Sequence, residues 1–175
     1  MIDITGYHGT KKSRCMKILE THEWIPSTGI RHWLGDGIYF FESKDDAINW
    51  TARFKDESAI IEAKIRVDED KFFDLCNKSH LEVFQEVANL ILSNIQKHKL
   101  IIDNENKIDG YVLNFIYDNL YQFHVVRGVF TFPLKKLAMY REEYGTDVSR
   151  IRKVQVQYCV RECACIVNVS EVNIV

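Results

Sequence analysis

Proline is scarce in this 175-residue chain: there are two, alongside eight glycines. With so few breakers and no Ser/Gly-rich stretch, a collagen-like or low-complexity chain is excluded, and nothing marks a domain boundary. A single domain over residues 1–175 is expected. No apolar run approaches the roughly 20 residues of a membrane span, so no membrane partner is expected. Neither charge dominates, since 23 basic and 25 acidic side chains give a formal net charge of −2. There is no global basic field to hold nucleic acid, and any such recognition must come from a local patch. The cysteines (Cys15, Cys76, Cys159, Cys163 and Cys165) are odd in number. The opening Met-Ile-Asp-Ile-Thr-Gly lacks a basic region and an apolar core. A cytoplasmic, intracellular protein with reduced thiols is expected. Cys163 and Cys165, two apart, would share one strand face near Cys159. That is not zinc-knuckle spacing, and no His or second Cys pair follows, so strand cysteines are expected and no metal.

The hydropathy pattern predicts alternating helices and short strands. Ile4–His8 reads as a strand, after which Thr10 is expected to cap a helix carrying Cys15, Ile18 and Leu19. A loop with Pro26, Gly29 and Gly35 leads to a strand over Gly37–Phe41. Ser43 is placed to cap a helix with Ala47, Trp50 and Phe54 at helical spacing. Ile61, Ala63, Ile65 and Val67 alternate with charged residues, as in a half-buried strand. Ser79 and Glu82 form a capping box before a long helix with Leu81, Phe84, Ala88, Ile91 and Ile95 inward. Another helix is expected after Asp109, with Val112, Phe115, Ile116 and Leu120. Val125–Phe130, Val154–Val160 and Cys163–Val169 read as strands. The mixed order favours α+β, with helices packed on antiparallel sheets.

Specific residues concentrate in the first quarter of the chain. Tyr7-His8-Gly9-Thr10 ends a strand, His32-Trp33-Leu34-Gly35-Asp36-Gly37-Ile38-Tyr39-Phe40-Phe41 follows, and Ala47 and Trp50 lie on the next helix. Val154-Gln155-Val156-Gln157-Tyr158-Cys159-Val160 comes late. Tyr39 and Trp50 offer two aromatic planes for a cationic ring. Gly9 lets backbone groups come close to a ligand. Period-two alternation puts Gln155, Gln157 and Cys159 on one strand face, and Val154, Val156, Tyr158 and Val160 on the other. With the valines turned to the core, both glutamines line a cleft.

Together these motifs resemble the ADP-ribosyltransferase superfamily, in the His-Tyr-Glu branch related to poly(ADP-ribose) polymerases and diphtheria toxin. The resemblance is dense over the first fifty residues, in register with His8 in His-Gly-Thr and Tyr39 in Gly-Asp-Gly-Ile-Tyr-Phe. Trp50 falls where the family has an aromatic that stacks on nicotinamide. Ala47 replaces the usual Ser one turn before it. The third element, a Glu in the family, is Gln157, with Gln155 as the rival position. Glu162 is a substitute carboxylate of the wrong parity.

The resemblance implies two small, mostly antiparallel sheets forming an NAD cleft with flanking helices. It implies His8, Tyr39 and Gln157 as catalytic residues, with His8 on a hydroxyl of the adenosine-side ribose. Gly9, Thr10, Trp33, Gly37, Ala47 and Trp50 would hold NAD, and Gln155 and Arg127 would face the acceptor. Arg31, His32 and Trp33 belong to the segment that covers bound NAD in relatives. Lys11, Lys12 and Arg14 read as a solvated helix face, with phosphate contact as the rival. Arg150, Arg152 and Lys153 form a small basic cluster.

A glutamine accepts a hydrogen bond but cannot serve as a general base. In the family that the chain resembles, loss of this Glu goes with mono- rather than poly-ADP-ribosyl transfer and sometimes with no activity. The resemblance therefore implies mono-ADP-ribosyl transfer, with NAD as co-substrate and RNA, DNA or protein as acceptor. The alternatives are an NAD glycohydrolase and a non-catalytic NAD- or ADP-ribose-binding module. A bare catalytic core of this kind resembles microbial toxin and antiphage-defence effectors, whose further partner is an antitoxin or inhibitor protein.

Overall fold

The computed structural model of the chain describes residues 1–29, 32–97, 108–134 and 151–172. The chain opens with β1 (Ile2–Lys11), α1 (Lys12–Thr21), β2 (Ile38–Phe41), α2 (Lys44–Thr51) and β3 (Ser58–Val67). It continues with β4 (Phe72–Asp74), α3 (Lys78–Lys97), α4 (Asp109–Asn119), β5 (Val125–Pro133), β6 (Arg152–Val160) and β7 (Ile166–Val172).

The strands form one seven-stranded sheet in the order β4-β5-β6-β2-β1-β3-β7. Among the described strands only the β4–β5 pair is parallel, so the sheet is mixed. The expectation of two small sheets is therefore corrected: the ladder is continuous because β2 pairs on both edges. Ile38–Phe41 runs against Val160–Gln157 of β6, and Phe41 also pairs with Tyr7 of β1. That β1–β2 seam consists of one register pair, whereas β1 and β3 share ten, from Ile2↔Val67 to Lys11↔Ser58.

Helices cover both faces. α3 and α4 lay Val87, Ile91, Val112, Leu113 and Ile116 against Phe73, Val126 and Cys159. α1 packs Cys15 and Ile18 on Ala59 and Ile61. α2 sets Ala47 on Phe41 and Ile60. A further cluster joins Ile38, Phe40, Ile65, Tyr158 and Val160 across the sheet. No helix among the described residues is long and apolar enough to cross a membrane.

Several local expectations need correction. Thr10 does not cap α1, because β1 continues to Lys11 and Lys11 takes the cap position without a side-chain bond. Ser43 does hold the cap position of α2, also without a side-chain bond. That helix ends at Thr51, short of Phe54. At α3 the capping box gives way to Asn77, whose Oδ1 accepts from the backbone N–H of Ser79 at 2.9 Å, while Glu82 pairs with Lys78. The side chain of Ile95 lies outside the described residues. Cys163–Cys165 is a 3₁₀ turn and β7 follows it. Glu162 caps that turn by accepting from Ala164 N–H at 3.2 Å, so its carboxylate serves the turn. Val154 is exposed because β6 outruns β2, whose pairing stops at Gln157. The three-residue β4 was too short to read from alternation.

Gly9 sits where β1 meets α2. A Cβ there would lie 2.7 Å from Thr51 Cγ2 and 2.9 Å from the Ala47 carbonyl oxygen. The helix approaches this closely only because the position has no side chain. Gly9→Ala is expected to lower stability by about 1–3 kcal/mol through overpacking. Thr51→Ser, which removes Cγ2, is expected to restore part of it. Urea midpoints of the single and double variants measure both effects.

Candidate functional site

The seam opens into a cavity of about 630 Å³, a volume ordinary for a small-molecule or cofactor site. Its lining comes from both sides of the sheet. His8, Arg14, Ile18 and Trp24 stand on the α1 side, and Tyr39, Phe41, Trp50, Gln155 and Gln157 on the α2 side. A ladder of full width would close that passage; a single pair leaves it open.

His8 bridges the gap with its side chain. Its Nδ1 lies 2.8 Å from the Tyr39 carbonyl oxygen. A carbonyl only accepts, so Nδ1 carries the proton and Nε2 of the neutral ring is left as an acceptor. The ring is wedged between Trp24 and Phe40, at centroid distances of 5.3 and 5.7 Å. Burial lowers its pKa below the ordinary histidine value. The bond to Tyr39 opposes that shift, and the nearby Arg14 charge adds to it.

Tyr39 is fixed by its hydroxyl, which donates to the Gly35 carbonyl at 2.7 Å and accepts from Leu34 N–H at 2.9 Å. Burial raises its pKa far above the ordinary phenol value, so the group is a neutral ring held in place, not a proton carrier. The loop that holds it is anchored in turn. Gly35 has φ +77° and no room for a Cβ, which would run into Asn114 Oδ1 and Arg161 Nη2. Asn114 Oδ1 accepts from Asp36 N–H at 2.9 Å and from Arg161 Nη2 at 2.6 Å. The Arg161 guanidinium lies over the rings of Tyr117 and Phe123.

Gln157 is buried and donates from Nε2 to Gln155 Oε1 at 2.7 Å. The pair leaves one amide oxygen and one NH₂ group for a ligand. Trp50 stands at the mouth, 43% exposed, with the Arg53 guanidinium over its ring. Trp33 also lines the cavity, packed on Phe130 at 4.7 Å, and Thr10 and Gly9 complete the β1 wall.

Other candidate residues lie elsewhere. Ala47 is fully buried beneath Phe41 and does not line the cavity. Gly37 serves a backbone bridge to Ser27, with bonds of 2.8 and 3.0 Å. Arg127 is opposite Tyr158, one register step from the Gly128↔Gln157 pair, so it projects from the other face of the sheet from Gln157. There its Nη1 pairs with Asp74 at 3.2 Å. Arg127 therefore has a structural partner and no place in the cavity. Arg31 and Arg150 lie outside the described residues. Lys153 pairs with the buried Asp46 at 2.7 Å, tying β6 to α2. Cys159 and Cys165 are buried in different clusters and Cys163 is exposed, so the three thiols do not converge. Among the described residues, no three His, Cys, Asp or Glu side chains gather to hold a metal ion.

Five lining residues escaped the sequence reading or were misread: Trp24, Ile25, Ser27, Arg53 and Arg14. Trp24 has no local signal before Pro26. Arg53 lies three residues after Trp50 but past the end of α2 at Thr51, so helical spacing carries no signal for it. Arg14 reads as a solvated cation, yet its Nη2 is buried against the cavity. Arg14, Arg53, His8 and His32 all line the cavity, and among the described residues no Asp or Glu does.

No protein-family model matches the chain. An uncharacterized protein of Methanocaldococcus jannaschii, MJ0359, is 32% identical over 179 residues, spanning 91% of this chain and 83% of that protein.

The neutral His8 sets a pH dependence. Its folded pKa lies below its unfolded value, so the native state binds fewer protons on acidification. The stability it contributes is complete above about pH 6.5 and declines as the pH falls toward the folded value. In urea unfolding between neutral and mildly acidic pH, His8→Asn is expected to show the shallower loss. An identical slope in the two proteins would overturn the neutral assignment.

Proposed function

The chain belongs to the family of the Methanocaldococcus jannaschii protein MJ0359, and for it we propose mono-ADP-ribosyl transfer from NAD to a macromolecular acceptor, with release of nicotinamide. One observation carries the reading: His8, Tyr39 and Gln157, on three separate strands, line a single cavity. These are the positions at which the sequence resembles the His-Tyr-Glu transferases.

The residues present suit the dinucleotide. Nicotinamide is a flat cationic ring, and Tyr39 and Trp50 supply aromatic surface for it. A ring stacking on Trp50 takes the place of the Arg53 guanidinium. The free acceptor on His8 Nε2 suits a ribose hydroxyl. The amide oxygen of Gln157 suits the hydroxyl beside the anomeric carbon, where hydrogen bonding strengthens as positive charge develops. The arginines, with no carboxylate among the described lining residues, suit a ligand with phosphates.

The bond broken is the glycosidic C–N bond, and its electron pair leaves with neutral nicotinamide. The acceptor's nucleophile bonds to the anomeric carbon and gives its proton to solvent. Gln157 cannot take that proton, so the acceptor must bring its own nucleophile, such as a base nitrogen or a guanidine. The same lack of a base favours, as a second reading, a site that holds the dinucleotide without turning it over.

The test uses NAD labelled in the adenylate, incubated with the protein and with RNA, DNA and protein fractions of a lysate. Label in one fraction, matched by nicotinamide release and lost in His8→Ala, is the expected result. Free ADP-ribose alone would identify a glycohydrolase, and binding without nicotinamide release a binding module. Absence of binding would overturn all three. Gln157→Glu is expected to raise nicotinamide release by about tenfold, since an anion beside a developing cation lowers the barrier. An unchanged rate would remove Gln157 from the reacting centre.

A further inference from the structure

We infer that Arg14 forms a phosphate subsite in the inner part of the cavity, and that the ligand places a phosphate ester against it beside His8. The observation is a half-buried guanidinium that lines the cavity with no ion-pair partner among the described residues. Arg14 Nη2 is buried and has no hydrogen-bond partner among the described residues. The neighbouring cations are matched: Lys11 pairs with Asp56, Lys12 with Glu171 and Lys17 with Glu23. Arg14 alone in this stretch turns inward, to a cavity that no carboxylate of the described residues lines.

Buried polar groups in folded proteins are normally satisfied, and an unsatisfied charged donor is costly. An anion bound in the cavity would supply the acceptor that the described residues do not. The planar guanidinium fork matches phosphate oxygens in shape and charge. His8 Nε2 faces the same space as a neutral acceptor, which suits a sugar hydroxyl and not a second anion. A donor fork for phosphate next to an acceptor for hydroxyl describes a sugar phosphate. The identity of the whole ligand rests on the NAD reading above, whereas the phosphate rests on Arg14 alone.

Calorimetric titration of the full chain with NAD, NADP, ADP-ribose, adenosine and inorganic pyrophosphate tests this, with Arg14→Gln and Arg14→Lys beside the parent. Arg14→Gln is expected to weaken the phosphate-bearing ligands by about tenfold or more, the worth of a charge-assisted bond. Adenosine affinity and melting temperature are expected to hold, because Arg14 supports no other group. Arg14→Lys is expected to recover part of the loss. A larger loss for NADP than for NAD places the 2′-phosphate monoester at Arg14, and an equal loss places the bridging diphosphate there. Pyrophosphate binding that depends on Arg14, without binding of NAD, keeps the subsite and removes the NAD reading. NAD binding indifferent to Arg14→Gln removes the subsite and keeps the NAD reading. A lowered melting temperature with equal loss of adenosine would make Arg14 structural and overturn the proposal, as would failure of every phosphate-bearing ligand to bind the parent.

Discussion

The hydrogen bond from His8 Nδ1 to the Tyr39 carbonyl holds together the two halves of the site. Everywhere else the sheet is joined by backbone ladders of three or more register pairs, and between β1 and β2 it is joined by one. An imidazole thus takes over a task usually left to the main chain. It fastens the strands where they would otherwise separate, and it leaves the space beside it unfilled. The same bond fixes the tautomer, so the fold decides which ring nitrogen faces the cavity. Closing the seam with an ordinary ladder would add stability and remove the site.

The character of the cavity follows from what the rest of the chain does with its charges. Most described cations near the site are spent on carboxylates: Lys153 on Asp46, Arg127 on Asp74, Lys12 on Glu171. Arg14 and Arg53 instead reach the cavity, with histidines and amides between them. A net charge of −2 over the molecule therefore coexists with a cavity whose described lining holds two arginines and no carboxylate. Burial supports this division by keeping His8, Tyr39 and Cys159 neutral, the last with its pKa pushed up to about 12.

The sequence was most legible where a feature repeats within one element. Alternation along Ile61–Val67 and Val154–Val160, and helical spacing around Val112 and Ile116, located the strands and helices within a few residues. The residues of the site were legible because His8, Tyr39 and Gln157 sit in motifs with a known relative order. What could not be read was pairing between distant segments. Whether there is one sheet or two depends on Tyr7 meeting Phe41, and nothing local to either residue records that contact. Arg127 was assigned to the acceptor side because its face depends on its register with Tyr158, a nonlocal fact. Arg14 looked solvated because the helix pattern shows an outer face but not the cavity beneath its end.

The anchor beneath Tyr39 has a consequence that reaches beyond the loop. Gly35, Asn114 and Arg161 come from a loop, a helix and the end of a strand, yet they share one small volume. Enlarging any one of them displaces another, and losing the amide oxygen of Asn114 strips a partner from two donors at once. A substitution at one of the three positions therefore needs compensating changes at the other two if the loop is to go on holding Tyr39 in place.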